Sequence, residues 1–188
     1  MTEKEKMLAG EYYLGWDAQL TEERESTIDK LFDFNNTRPT LRREREALIK
    51  QIFCKTGKSC WVEPPFFCDH GYNISVGENF FAAANCVMLD CGKITIGNNV
   101  LIGPNVGIYT VNHALNPENR AKGYEISRPV VICDDVWIGG NASIIGGVTI
   151  GKGSVIAAGS VVIRDIPDGV VAAGNPARVI RSITDKDF

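Results

Sequence analysis

The 188-residue sequence predicts an all-β solenoid of very short strands, preceded by a helical segment. Three observations predict it. Aliphatic residues recur every six positions through most of the chain, glycine, asparagine or aspartate recurs between them, and residues 1–58 instead carry apolar residues at helical spacing among charges.

In chain order, the first element is a helical cap over residues 1–58. After Thr21 an acidic first turn (Glu22, Glu23, Glu25) complements a helix N-terminus, and Ile28, Leu31 and Phe32 follow at helical spacing. A second helix is expected from near Thr40 to Phe53, with Leu41, Leu48 and Ile52 on one face. Asn35, Asn36 and Pro39 are expected to separate the two helices. A solenoid exposes its end coil, so a cap that closes it is the simplest role for this segment; a contribution to an acceptor site is the alternative.

The second element is the solenoid itself, over 59–182. Ile132, Ile138, Ile144, Ile150, Ile156 and Val162 keep a step of six without a miss, and Ile96, Ile102 and Ile108 keep it upstream. A small or apolar residue sits four after each anchor, as in Val100, Val106, Val136, Ala142, Val148, Ser154 and Ser160. A helix face repeats at about 3.6 residues and a strand face at 2, so neither explains the step. Short strands joined by tight corners do, because such units bury an apolar side only by stacking. Val76, Ala82 and Met88 share the register, and two extra residues precede Ile96.

Between Ile108 and Ile132 the repeat is lost. The stretch of about 109–131 is polar, contains Pro117, Gly123 and Pro129, and reads as a long loop leaving the wall. It holds His113, one of only two histidines. Beyond Pro167, Gly169, Gly174 and Pro176 the repeat stops, and residues 183–188 form a short tail.

Composition narrows the function. A net charge of −3 does not suit a general nucleic-acid binder, which needs a concentrated basic surface. No apolar run approaches the roughly 20 residues of a membrane span. The start, MTEKEKMLAGEYY, lacks the basic and apolar regions of a secretion signal, so a cytoplasmic location is expected. The six cysteines form no C-x-x-C pair and are read as small buried hydrophobes; Cys68 alone lies near a possible acceptor site.

The segments WVEPPFFCDHGYNISVGENFFA, IGNNVLIGPNVGIYTVNHALNP, RPVVICDDVWIGGNA and DGVVAAGNPARVIR resemble the maltose/galactoside O-acetyltransferases, members of the hexapeptide-repeat acyltransferases. The likeness covers nearly the whole chain, including GEYY and FNNTRP near its start. It implies a left-handed parallel β-helix with three hexapeptides per coil. It also implies a homotrimer with sites between neighbouring subunits, and transfer of acetyl from acetyl-CoA to a sugar hydroxyl.

Within that likeness His113, in TVNHALNP, matches the catalytic histidine. Histidine suits the task, since an alcohol ionises far above neutral pH and a base acting in the transition state helps by about 10²–10⁴-fold. Asp69 matches an acceptor-binding position, with a structural turn aspartate as the alternative. His70 reads as a cleft wall. Glu125 is a candidate to orient His113 or bind acceptor, against a solvated loop charge as the default reading. The family's acceptor-binding asparagine is replaced here by Ala83, whose side chain offers no hydrogen bond, and Asn85 is the candidate substitute. For the coenzyme, Trp137, Gly140 and Ala158 match pantetheine contacts, with a core ring filling a corner as the alternative for Trp137. Arg164, Arg178 and Arg181 match basic contacts, where guanidinium forks suit phosphate.

No catalytic metal is expected. A metal hydratase on the same solenoid would need three histidines, and only His70 and His113 are present. Acetylation of an amino sugar or a xenobiotic hydroxyl remains open at this point. So does a catalytically weakened binding or scaffold role, which the Ala83 departure favours.

Overall fold

The computed structural model describes residues 1–187. Short strands wind into a parallel β-helix of about six coils, three faces to a coil. The first face stacks Cys60–Val62, Phe80–Ala82, Leu101–Ile102, Trp137–Ile138, Val155–Ile156 and Val170–Gly174. The second stacks Phe66–Cys68, Cys86–Leu89, Gly107–Tyr109, Ser143–Ile145 and Val161–Val162. The third stacks Ile74–Val76, Ile94–Ile96, Val130–Ile132 and Thr149–Ile150.

The six-residue anchors become vertical ladders. Ala82, Ile102, Ile138, Ile156 and Ala172 pair in register on the first face. Cys68, Met88, Ile108, Ile144 and Val162 do so on the second, and Val76, Ile96, Ile132 and Ile150 on the third. All are buried in one core, which burial of apolar area stabilises by about 1.5–3 kcal/mol per large aliphatic side chain. The residues four after each anchor, from Val100 to Ser160, are buried as well.

Corners explain the polar residues of the repeat. Asn79, Asn85, Asn99, Asn105, Asp135 and Asn141 all have left-handed φ between 55° and 63°, and Gly153 and Gly159 continue the six-residue series. Asparagine and aspartate tolerate this conformation because a short polar side chain can bond locally.

At the N-terminal end three helices replace the expected two. α1 (Glu3–Ala9) is closed by a capping box between Thr2 and Glu5. α2 (Ala18–Asn36) starts at an Asp17 cap, earlier than Thr21, and runs through Asn35 and Asn36. It buries Leu20, Thr27, Leu31 and Phe34, whereas the expected Ile28 and Phe32 stay exposed. α3 (Arg42–Ile52) buries Ile49 and Ile52. Leu31, Phe34, Ile49 and Ile52 join the solenoid core, with Phe53 edge-on to Phe66 at 5.6 Å. Asn35 pairs its amide with the backbone N–H and C=O of Phe66, at 2.9 and 3.0 Å, and so satisfies the open edge of the second face.

The excursion from the wall is also ordered, correcting the expectation of a plain loop. It contains strands Val111–His113 and Tyr124–Ser127 and a fourth helix, α4 (Pro117–Ala121). The two strands pair antiparallel, and Tyr13–Leu14 of the cap adds a third strand beside Tyr124–Ser127. At the other end of the chain, Ala177–Ser182 folds back antiparallel on Val170–Gly174. Of the expected tail, Phe188 lies outside the described residues.

Candidate active site

One corner of the prism, between the second and third faces, is irregular in successive coils. Twenty residues separate Ala82 from Ile102, but eighteen separate Ile138 from Ile156. The early coils spend their extra residues here, around Asp69–Gly71 and Asp90–Gly92, and the next coil leaves the wall at the same corner, after Thr110. The stack is held by side chains. Asp90, fully buried, accepts the N–H groups of Asp69, His70 and Asn73 at 2.8–3.2 Å. The Thr110 hydroxyl accepts from Gly92 N–H and donates to the Leu89 carbonyl. Arg128 N–H then bonds Thr110 C=O at 2.8 Å and closes the neck of the excursion.

His113 projects from this excursion with its side chain 63% exposed. Its Nδ1 faces Glu125 Oε1 across 3.6 Å, and the other Glu125 oxygen accepts the Tyr13 hydroxyl at 2.8 Å. Behind Tyr13 lies the buried Cys91 thiol, which donates to Asp69 Oδ2 at 3.5 Å. Burial raises the Asp69 carboxyl above its ordinary range, with Cys91 and Arg24 opposing that rise and Glu125 adding to it. His113, Glu125 and Asp69 thus belong to one cluster. Tyr13 and Cys91 complete it, and neither was singled out from the sequence.

His70 sits apart from this row. Its ring is buried under the cap, stacked at 5.1 Å on Tyr72, whose hydroxyl donates to Glu23. Cys68, the one cysteine near a possible site, is a rung of the second-face ladder.

Whereas Arg164 lies between Val162 and Ile166, at the second–third corner, Ala83, Asn85, Gly140 and Ala158 gather at a different edge, between the first and second faces. Ala83 is half-buried there, and its N–H bonds Ile102 C=O. Asn85 is one of the left-handed corner residues, its N–H spent on Pro65 C=O. Gly140 and Ala158 stack above the same corner, where a Cβ on Gly140 would come within 3.1 Å of the Pro104 carbonyl. Trp137 lies on the first face, 53% exposed, which rules out the corner-filling role its size allowed. With Val155, Val171, Arg181, Ile183 and Asp187 it lines a groove of about 430 Å³. Arg181 forks onto Asp187, while Arg178 and Arg164 are exposed. An apolar floor beside a guanidinium fits a pantetheine arm ending in phosphate. Among the described residues no group of three His, Cys, Asp or Glu side chains could hold a metal, and no helix is long and apolar enough to cross a membrane.

Known proteins give this geometry a context. Residues 6–57 match the maltose acetyltransferase hexapeptide capping motif, and 129–164 match the bacterial transferase hexapeptide of six repeats. The galactoside O-acetyltransferase of Escherichia coli is 44% identical over 97% of this chain and 90% of its own. A maltose O-acetyltransferase structure from Clostridium difficile is 50% identical, with a TM-score of 0.96, covering 98% of this chain and 99% of that one. A hexapeptide-repeat acetyltransferase from Vibrio cholerae, solved with acetyl-coenzyme A, is 44% identical with a TM-score of 0.89, covering 98% of this chain and all of that one. The chain belongs to the maltose/galactoside O-acetyltransferase family of hexapeptide-repeat acyltransferases.

Proposed function

We propose that this acetyl-CoA-dependent O-acetyltransferase acetylates a sugar hydroxyl directly, with His113 as the general base. The observation that carries the reading is the Glu125 carboxylate facing His113 Nδ1. A carboxylate there favours the tautomer with the proton on Nδ1, leaving the Nε2 lone pair free for the acceptor hydroxyl. Nε2 takes the hydroxyl proton as the oxygen attacks the thioester carbonyl. The coenzyme's sulfur then leaves and collects that proton from the imidazolium. Holding both substrates in one cleft makes an acyl-enzyme unnecessary.

Asp69, beside this row, is the proposed acceptor ligand, and Ala83 and Asn85 flank the acceptor at the opposite edge. Trp137, Gly140 and Ala158 would hold the pantetheine arm, with Arg164, Arg178 and Arg181 toward the phosphates. The base projects at one edge of the prism and the coenzyme groove lies on its first face, which suits a homotrimer whose sites form between neighbouring copies. Residence in the cytoplasm belongs to the same proposal.

His113→Ala is expected to lower kcat by about 10²–10⁴-fold with an unchanged far-UV spectrum. Thiol release from acetyl-CoA in the presence of maltose, glucose and galactosides is the assay. A near-normal rate would remove the base assignment, and preference for an amine acceptor would remove the sugar.

A further inference from the structure

The excursion carrying His113 is not self-supporting; its second strand is paired on the far side by the cap. Tyr13 lies directly opposite Glu125 in the three-stranded sheet, and Glu125 lies directly opposite His113. Facing residues of antiparallel neighbours share one face, so the three side chains form a row across the sheet. The row is hydrogen-bonded at one end, Tyr13 hydroxyl to Glu125 Oε2 at 2.8 Å, and aimed at the imidazole from the other oxygen.

The Tyr13 ring is anchored. It is 1% exposed, in a cluster with Met7, Leu20 and Cys91 that is separate from the solenoid core. Two further bonds pin the cap to the base of the excursion: Ser127 hydroxyl to Met7 C=O at 2.6 Å, and Arg128 guanidinium to Gly10 C=O at 3.0 Å. Gly15 presses on the same carboxylate from another side, since a Cβ there would lie 2.5 Å from Glu125 Cδ. Burial, with Cys91 and Glu125 alongside, pushes the Tyr13 hydroxyl far above its ordinary pKa, so it stays a donor.

A carboxylate holding an imidazole in place works only if it cannot rotate. We infer that the N-terminal cap sets the base: Tyr13 is a positioning residue that locks Glu125 through one oxygen so that the other holds His113 Nδ1. Gly15 supplies the wall against which the carboxylate rests. The gap of 3.6 Å to the imidazole is of the kind that closes when substrates bind. This rests on the proposal that His113 is the base.

The test is a double-mutant cycle. Tyr13→Phe keeps the ring in its cluster and deletes the donor; it is expected to lower kcat about tenfold while KM for acetyl-CoA changes less than about twofold. Introduced into Glu125→Gln, the same change should cost nothing further, because the group it holds is already lost. A purely structural tyrosine would instead add its loss in both backgrounds. Gly15→Ala offers a second route, displacing the carboxylate without touching the ring, and should reproduce the kcat drop at constant KM. Wild-type kcat in Tyr13→Phe, or full additivity with Glu125→Gln, overturns the inference. His113→Ala run alongside separates the two ideas: near-normal activity there removes the base itself, whereas its inactivity beside an unaffected Tyr13→Phe removes only the positioning role.

Discussion

His70 is held in the molecule at a cost. Its Nδ1 is buried with no hydrogen-bond partner, and burial, with the Arg24 charge adding, depresses its pKa to about 4. The unfolded chain takes up a proton near pH 6.5 that the folded chain refuses, so stability falls as pH drops from about 6.5 to about 4. At 1.36 kcal/mol per unit this amounts to about 3 kcal/mol. Asp90 acts oppositely: burial raises it to about 6 against three backbone donors, so its own contribution weakens as pH rises from about 4 to 6. His70→Phe, which keeps a ring against Tyr72, should therefore gain stability relative to the parent as pH falls, and melting curves at pH 7, 5.5 and 4.5 would show it. A wild-type-like fall in the variant would place the acid sensitivity elsewhere. At this scale the sequence revealed what lies within a short motif. His113 and Asp69 stand in recognisable local patterns, whereas Tyr13 and Glu125 meet across 112 positions, and no spacing rule connects them.

Single elements were legible in proportion to their periodicity. The six-residue step predicted the rungs because each anchor has one inward position and one corner, repeated by stacking alone. Ile138, buried between Ile102 and Ile156, makes the point measurable. Ile138→Ala should cost about 2–5 kcal/mol in a urea titration, while Trp137→Ala on the outward side should cost under about 1 kcal/mol. Equal losses would mean the ladder is not what holds the coils. The cap was harder. α2 has so weak an apolar stripe that Ile28 and Phe32 were as plausible as Leu20 and Phe34, and only the position of the first coil decides between them. Strands of three and four residues in the polar excursion are too short for alternation to register, and the outer partner of Tyr124–Ser127 lies far upstream, at Tyr13–Leu14.

For the whole molecule, the arrangement of edges matters more than any one side chain. His113 projects at one edge and the groove proposed for the coenzyme lies on the first face, so a shared site predicts complementation between two defective chains. Co-expressed His113→Ala and Ala158→Trp, the second blocking the corner proposed for the pantetheine arm, should recover up to roughly a quarter of normal activity in mixed assemblies. Light scattering on the same sample should give three chains per particle. No recovery from mixed trimers would mean each chain carries its own complete site.

The hydrogen bond from Arg128 to Thr110 ties the excursion shut at its root. A segment whose two ends are already joined transmits no pull to the rungs above and below it. Its span and chemistry can therefore drift like those of a surface hairpin while the prism beneath keeps its pitch. Repertoire at the rim is thereby uncoupled from solidity at the axis.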